Sequence, residues 1–122
     1  MIRGFIIGHR DIGNAFAAVL DSISGQVSDI QFFSNEGLST GELAEALHRS
    51  SSGSNEETIL FVDLYGGSCW RAAKQAKLPN SCIISGFNLP MLLSFINKRE
   101  LYSFEELPAV LKHDAERGVI LE

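Results

Sequence analysis

Cysteine, positive charge and long apolar runs are all scarce in this chain, and each shortage excludes something. Two cysteines, Cys69 and Cys82, build no disulfide framework. Ten lysines and arginines face 15 acidic residues, giving a formal net charge of -5 with no basic cluster to offset it. Nucleic acid is therefore disfavoured as a main partner, whereas a basic protein would suit the acidic surface. No apolar stretch approaches the length of a membrane span. Met1-Ile2-Arg3 leads straight into a strand, so no signal peptide is expected and the expected location is cytoplasmic. At 45% hydrophobic and 20% charged, the composition is that of a globular protein, and 122 residues make one domain, 1–122.

What is present is a strand–helix alternation. Gly4-Phe5-Ile6-Ile7-Gly8 is an apolar run ending in His9, and Thr58-Ile59-Leu60-Phe61-Val62 is a β-branched and aromatic run ending in Asp63. Short apolar runs between helical patterns read as buried parallel strands. Between them, Ile12, Phe16, Val19, Leu20 and Ile23 predict one face of a helix, with Asp11 as N-cap and Gly25 at its end. Val27 to Phe33 is expected as the second strand. Ser39 and Glu42 spell a capping box for a helix turning Leu43, Ala46 and Leu47 inward. Ser50 to Asn55 is expected as a polar loop. A helix from Ser68 through Ala76, a fourth strand Ser81–Ser85, and a helix opening at Asn88-Leu89-Pro90-Met91 with Leu92, Leu93 and Ile96 buried follow. Ser103 and Glu106 suggest another capping box, but Pro108 would break the helix it opens. A single turn over Phe104 to Glu106, with the helix starting at Pro108, resolves the conflict. Val119-Ile120-Leu121 reads as a short terminal strand.

Right-handed crossovers give this alternation the sheet order 2-1-3-4 if strands two and three flank strand one. The winding then reverses between the strands ending in His9 and Asp63. In open α/β sheets chemistry collects beyond the carboxyl ends of the strands at such a point. The expected site is a crevice holding His9, Asp63, the amides of Gly66, Gly67 and Ser68, and the start of the first helix. Loop amides and a helix N-terminus suit an anion.

Three stretches also carry a family resemblance: the strand ending in His9 with its following helix, Asp63-Leu64-Tyr65-Gly66-Gly67-Ser68, and Gly86-Phe87-Asn88-Leu89-Pro90-Met91-Leu92. The chain resembles the enzyme IIA component of the mannose/fructose/sorbose family of the bacterial phosphoenolpyruvate-dependent sugar phosphotransferase system, over almost its whole length. The resemblance implies a flavodoxin-like α/β fold and a terminal strand exchanged across a homodimer. It implies that the phosphocarrier HPr phosphorylates His9, that Asp63 orients the ring, and that the phosphoryl group passes to enzyme IIB, here a separate chain. Membrane contact would be indirect, through the permease components. Two departures stand out. Arg10 occupies a position where the family usually has a small residue, often glycine, and Cys69-Trp70-Arg71 replaces a typical Pro-Phe-Asn. Arg10 and Arg71 are candidate phosphate ligands, because a guanidinium can hold two phosphoryl oxygens at once; they could equally alter partner choice.

The chemistry fits these residues. If Asp63 accepts from the His9 Nδ1–H, the tautomer is fixed and Nε2 is left as nucleophile. Phosphoryl transfer needs positioning and charge stabilisation, which amides can supply, so neither a cofactor nor a metal is expected. The bland alternative has His9 and Asp63 merely closing a strand and a turn. A regulatory phosphotransferase-system paralogue that signals to another protein is the competing function. A hydrolase built on Ser68, His9 and Asp63 is a third, disfavoured because no G-x-S-x-G elbow is present. The Gly66-Gly67-Ser68 turn also lacks the lysine of a nucleotide P-loop. Ser68 is expected as an N-cap or phosphate donor, Cys69 as a structural thiol, and Trp70 as core or interface. His48 and His113 are expected on solvated helix faces with no second ligand.

Overall fold

A computed structural model describes residues 1–25 and 27–122. Among these, four parallel strands form one sheet: β1 (Arg3–Gly8), β2 (Ile30–Ser34), β3 (Thr58–Val62) and β4 (Ser81–Ser85). The helices are α1 (Ile12–Ser24), α2 (Thr40–Ser51), α3 (Ser68–Ala76), α4 (Leu89–Lys98) and α5 (Leu107–Arg117). The order is β2-β1-β3-β4, as the alternation predicts. Successive side chains of a strand face opposite ways, and beyond Arg3 and Thr58 both central strands are apolar on both faces. Phe5, Ile7, Leu60 and Val62 pack with α2 and α3, whereas Ile6, Ile59 and Phe61 pack with α1, α4 and α5. The result is three layers, with α1 and the β2–β3 crossover on opposite faces as right-handed connections require.

All five residues of β3 are buried, at 1% exposure or less. Burying one such Leu, Ile or Phe side chain contributes about 1.5–3 kcal/mol, so the strand ends that carry the site rise from the most tightly held part of the molecule. The register sets Ile7 beside Val62 and Gly8 beside Ser34. The ends of β1, β2 and β3 therefore lie side by side.

Several local expectations shift. The second strand begins at Ile30 rather than Val27, because Asp29 adopts a φ of 58°, which no strand accommodates. Ser50 and Ser51 belong to α2 rather than to the loop; the Ser51 hydroxyl donates back to the His48 carbonyl. Asp11 occupies the N-cap position of α1 but makes no side-chain cap. Along α1, Ile12, Phe16 and Leu20 follow the i, i+4, i+8 line into the core, while Val19 and Ile23 lie on its flank and stay exposed. The Ser39–Glu42 capping box forms in both directions. Ser103 and Glu106 exchange the same pair of bonds around a turn, and α5 begins at Leu107, one residue before Pro108. Within the single chain Val119, Ile120 and Leu121 form no strand and are 77%, 74% and 98% exposed. A strand needs a neighbour to complete its ladder, and this segment meets none among the described residues.

Candidate functional site

His9 follows the last residue of β1, and Asp63 follows the last residue of β3. Asp63 Oδ2 accepts two hydrogen bonds from His9, one from its backbone N–H at 2.9 Å and one from Nδ1 at 2.8 Å. An ionised carboxylate has only lone pairs to offer, so the short contact requires the proton on Nδ1. The neutral ring then carries its free lone pair on Nε2. Asp63 is the more sheltered partner, its side chain 12% exposed against 37% for His9. Its other oxygen, Oδ1, is buried without a hydrogen-bond partner. Among the described residues the carboxylate's hydrogen bonds thus all go to His9, one from its backbone and one from its ring.

Nε2 faces the start of α3, with Ser68 Oγ 3.4 Å away. The loop between β3 and α3 depends on its glycines. Gly66 has a φ of 80°, and a Cβ on Gly67 would lie 3.4 Å from His9 Cε1 and from the Leu64 carbonyl oxygen. Larger residues would strain the turn at the first position and crowd the ring at the second. Gly67 rather than Ser68 is the N-cap of α3, and no side chain caps the helix. The Gly67 N–H is occupied by the Leu64 carbonyl, so the donors left open to the crevice are those of the first helical turn, beginning with Ser68. A neutral nucleophilic nitrogen facing an uncapped helix N-terminus and a hydroxyl is an arrangement suited to an anion that bonds to the ring.

The crevice therefore brings together His9, Asp63 and Ser68, with Gly66 and Gly67 shaping its wall. The arginines stand differently. Arg71 Nη1 donates to the Gly66 carbonyl at 2.9 Å, bracing the loop rather than reaching the ring. Arg10 is exposed and has a φ of 50°. That left-handed backbone explains why glycine suits the position. Arg10 is held there by Ser34 Oγ donating to its carbonyl at 2.8 Å, and by its own N–H donating to Asn35 Oδ1 at 3.0 Å. With His9, Ile12, Ala15 and Asn35 it lines a shallow concavity beside the ring.

Cys69 is fully buried, with its sulfur 3.8 Å from His9 Nδ1. The donor atoms of His9, Asp63 and Cys69 lie within 4.8 Å of one another, close enough for a metal ion. Two of the three are engaged with each other, Asp63 Oδ2 accepting from His9 Nδ1 at 2.8 Å, while burial, and then the charge of Asp63, push the Cys69 thiol up to about 11. His48 and His113 lie on exposed faces of α2 and α5, as expected. Trp70 is half-buried at the margin of the core, its ring 5.0 Å from that of Tyr65.

Sequence reasoning missed Asn35. Its Nδ2 donates to Ser68 Oγ at 3.2 Å while its Oδ1 accepts from Arg10. The signal was there: Asn35 is the residue after β2, at the same end of the sheet as His9 and Asp63. Ending that strand at Phe33 hid it.

Comparisons with known proteins give the family and the fold. Residues 5–112 match the family described as EIIA-man, PTS system fructose IIA component. The PTS system fructose-specific EIIA component of Bacillus subtilis (strain 168) is 31% identical over 119 residues, covering 92% of this chain and 80% of its own length. The sorbose-specific EIIA component of Klebsiella pneumoniae is 26% identical over 110 residues, covering 88% of this chain and 82% of its own. The fold matches the crystal structure of phosphotransferase system component EIIA from Streptococcus agalactiae with a TM-score of 0.90 at 20% identity, over 99% of this chain and 97% of that one. The mannose/sorbose specific IIA subunit from Enterococcus faecalis superposes with a TM-score of 0.79 at 24% identity, over 98% and 93%. The chain belongs to the mannose/fructose/sorbose family of enzyme IIA components of the bacterial sugar phosphotransferase system.

Proposed function

We propose that His9 is a phosphoryl carrier: its Nε2 takes the group from HPr and yields it to enzyme IIB. The observation that carries this reading is the 2.8 Å contact from Nδ1 to Asp63, which leaves Nε2 unprotonated toward the start of α3. In the first transfer the Nε2 lone pair forms a bond to phosphorus as the bond from phosphorus to the donor breaks, and the donor leaves with that electron pair. The ring gains positive charge, which Asp63 offsets through the retained Nδ1–H. The phosphoryl oxygens are met by the Ser68 hydroxyl and the first-turn amides of α3, donors already in place before the reaction. Transfer to enzyme IIB reverses these steps with a different acceptor. Arg10, exposed and beside the ring, is a further candidate for the phosphoryl oxygens.

Incubation with phosphoenolpyruvate, enzyme I and HPr should add one phosphoryl group, acid-labile and base-stable, and His9→Ala should abolish it. Undiminished labelling of His9→Ala would overturn the assignment. The exposed Val119–Leu121 segment and the open edge of β4 support a homodimer in which each terminal segment pairs with the other subunit.

A further inference from the structure

We propose that Asn35 is a positioning residue for phosphoryl transfer, acting through Ser68. This rests on His9 being the phosphoryl acceptor. Three hydrogen bonds carry the inference. The Arg10 N–H donates to Asn35 Oδ1 at 3.0 Å, Asn35 Nδ2 donates to Ser68 Oγ at 3.2 Å, and Ser68 Oγ lies 3.4 Å from His9 Nε2. A backbone N–H can only donate, so it fixes which end of the Asn35 amide is oxygen and directs the NH2 group toward Ser68.

With one lone pair occupied by Asn35, the Ser68 hydroxyl still has its proton to direct at Nε2. Once Nε2 carries the phosphoryl group that lone pair is gone, and the same proton turns to a phosphoryl oxygen. Asn35 remains bonded to Ser68 Oγ throughout and limits where the hydroxyl can swing. A serine on the first residue of a helix otherwise has three staggered rotamers to choose from. Asn35 also ties the loop after β2 to the left-handed turn at Arg10, so one half-buried side chain couples the loops after β1, β2 and β3.

A double-mutant cycle tests this. Wild-type protein, Asn35→Ala, Ser68→Ala and the double variant are compared for kcat/KM of phosphorylation by phospho-HPr, with circular dichroism to verify folding. Loss of one neutral hydrogen bond should lower the Asn35→Ala rate about 3- to 10-fold. Ser68→Ala, which removes a donor to a charged oxygen, should lower it by about 10-fold or more. Because the two act in series, the double variant should be no slower than Ser68→Ala. Asn35→Asp keeps the acceptor for the Arg10 N–H and loses the donor to Ser68, so its turn is intact even should Asn35→Ala fail to fold; it too should be slow. Additive losses in the double variant, or an Asn35→Asp as fast as wild type, would overturn the proposal and leave Asn35 as a brace for the Arg10 turn. Absence of phosphorylation in the wild type would instead remove the carrier reading itself.

Discussion

Replacing Asp63 by asparagine changes one atom and forces a choice between two defective arrangements. In wild type, Oδ2 accepts both His9 bonds and Oδ1 is buried with no partner. If the asparagine carbonyl takes the Oδ2 position, both bonds persist but lose their charge, and an NH2 group is buried where nothing accepts from it. An unsatisfied buried donor costs about 1–3 kcal/mol of stability. If the amide flips, its NH2 confronts the His9 backbone N–H and the ring must accept at Nδ1, which moves the proton to Nε2 and removes the nucleophile. In the first arrangement the imidazolium forming during transfer loses a charge-assisted bond worth roughly 1.5–3 kcal/mol in favour of a neutral one of about 0.5–1.5 kcal/mol. The difference, about 1–1.5 kcal/mol, corresponds to a rate about 5- to 13-fold lower. In the second the loss is larger. The assay is single-turnover phosphorylation by phospho-HPr, with ring 15N chemical shifts reporting the tautomer and a urea titration reporting stability. Folded Asp63→Asn with a wild-type rate and a wild-type tautomer would refute the reasoning and reduce Asp63 to a turn residue.

Other consequences are checked as directly. Arg10→Gly should fold normally, since glycine accepts the left-handed backbone at this position, yet shift the transfer equilibrium toward phospho-HPr; Arg71→Asn should shift it less, because Arg71 is engaged with Gly66. If neither substitution moves the equilibrium but binding to enzyme IIB changes, the arginines serve partner recognition. Deleting residues 118–122 should convert a dimer to monomer or aggregate in light scattering; an unchanged dimer would place the interface elsewhere. Bonds from Lys98 and then from Ser94 hold the Asp114 carboxyl below 3.8. A group depressed on folding stabilises above its unfolded pKa and loses that contribution as pH falls through the folded value. The urea midpoint of wild type should therefore exceed that of Asp114→Asn at neutral pH, with the gap closing below about pH 4; a gap independent of pH would show that the charge plays no part.

How much of this was legible depended on whether the signal was local. The buried strands and the alternation of β and α were, because β1 after Arg3 and β3 after Thr58 are continuous apolar runs whose flanks are turn residues. From that alternation and right-handed crossovers the sheet order follows, and with it the meeting of His9 and Asp63. Capping at Ser39 was legible for the same reason, as a residue pair four positions wide. What was not legible depended on backbone angles or on partners far away in sequence. Nothing in the composition of residues 27–29 announces the positive φ of Asp29, so β2 was read as starting and ending too early. Val119–Leu121 reads as a strand from its apolar side chains, and because a strand is a property of a pair that reading concerns a second subunit rather than this chain alone.

Arg10 and Asn35 are linked at the site. Beside the reach of its side chain toward a phosphoryl oxygen, Arg10 has a structural role through its backbone. An arginine with a φ of 50° needs support that glycine would not. That support comes from Ser34 and Asn35, consecutive residues at the end of β2. Asn35 then uses its remaining donor on Ser68. An arginine in the left-handed turn of one loop is thus accompanied by an amide in the neighbouring loop that both holds the turn and reaches the crevice. On this reasoning the two positions are energetically coupled: Asn35→Ala should cost more stability when residue 10 is arginine than when it is glycine, because only arginine needs the clamp. Equal costs in the two backgrounds, measured by urea unfolding, would show that the turn at residue 10 stands without Asn35.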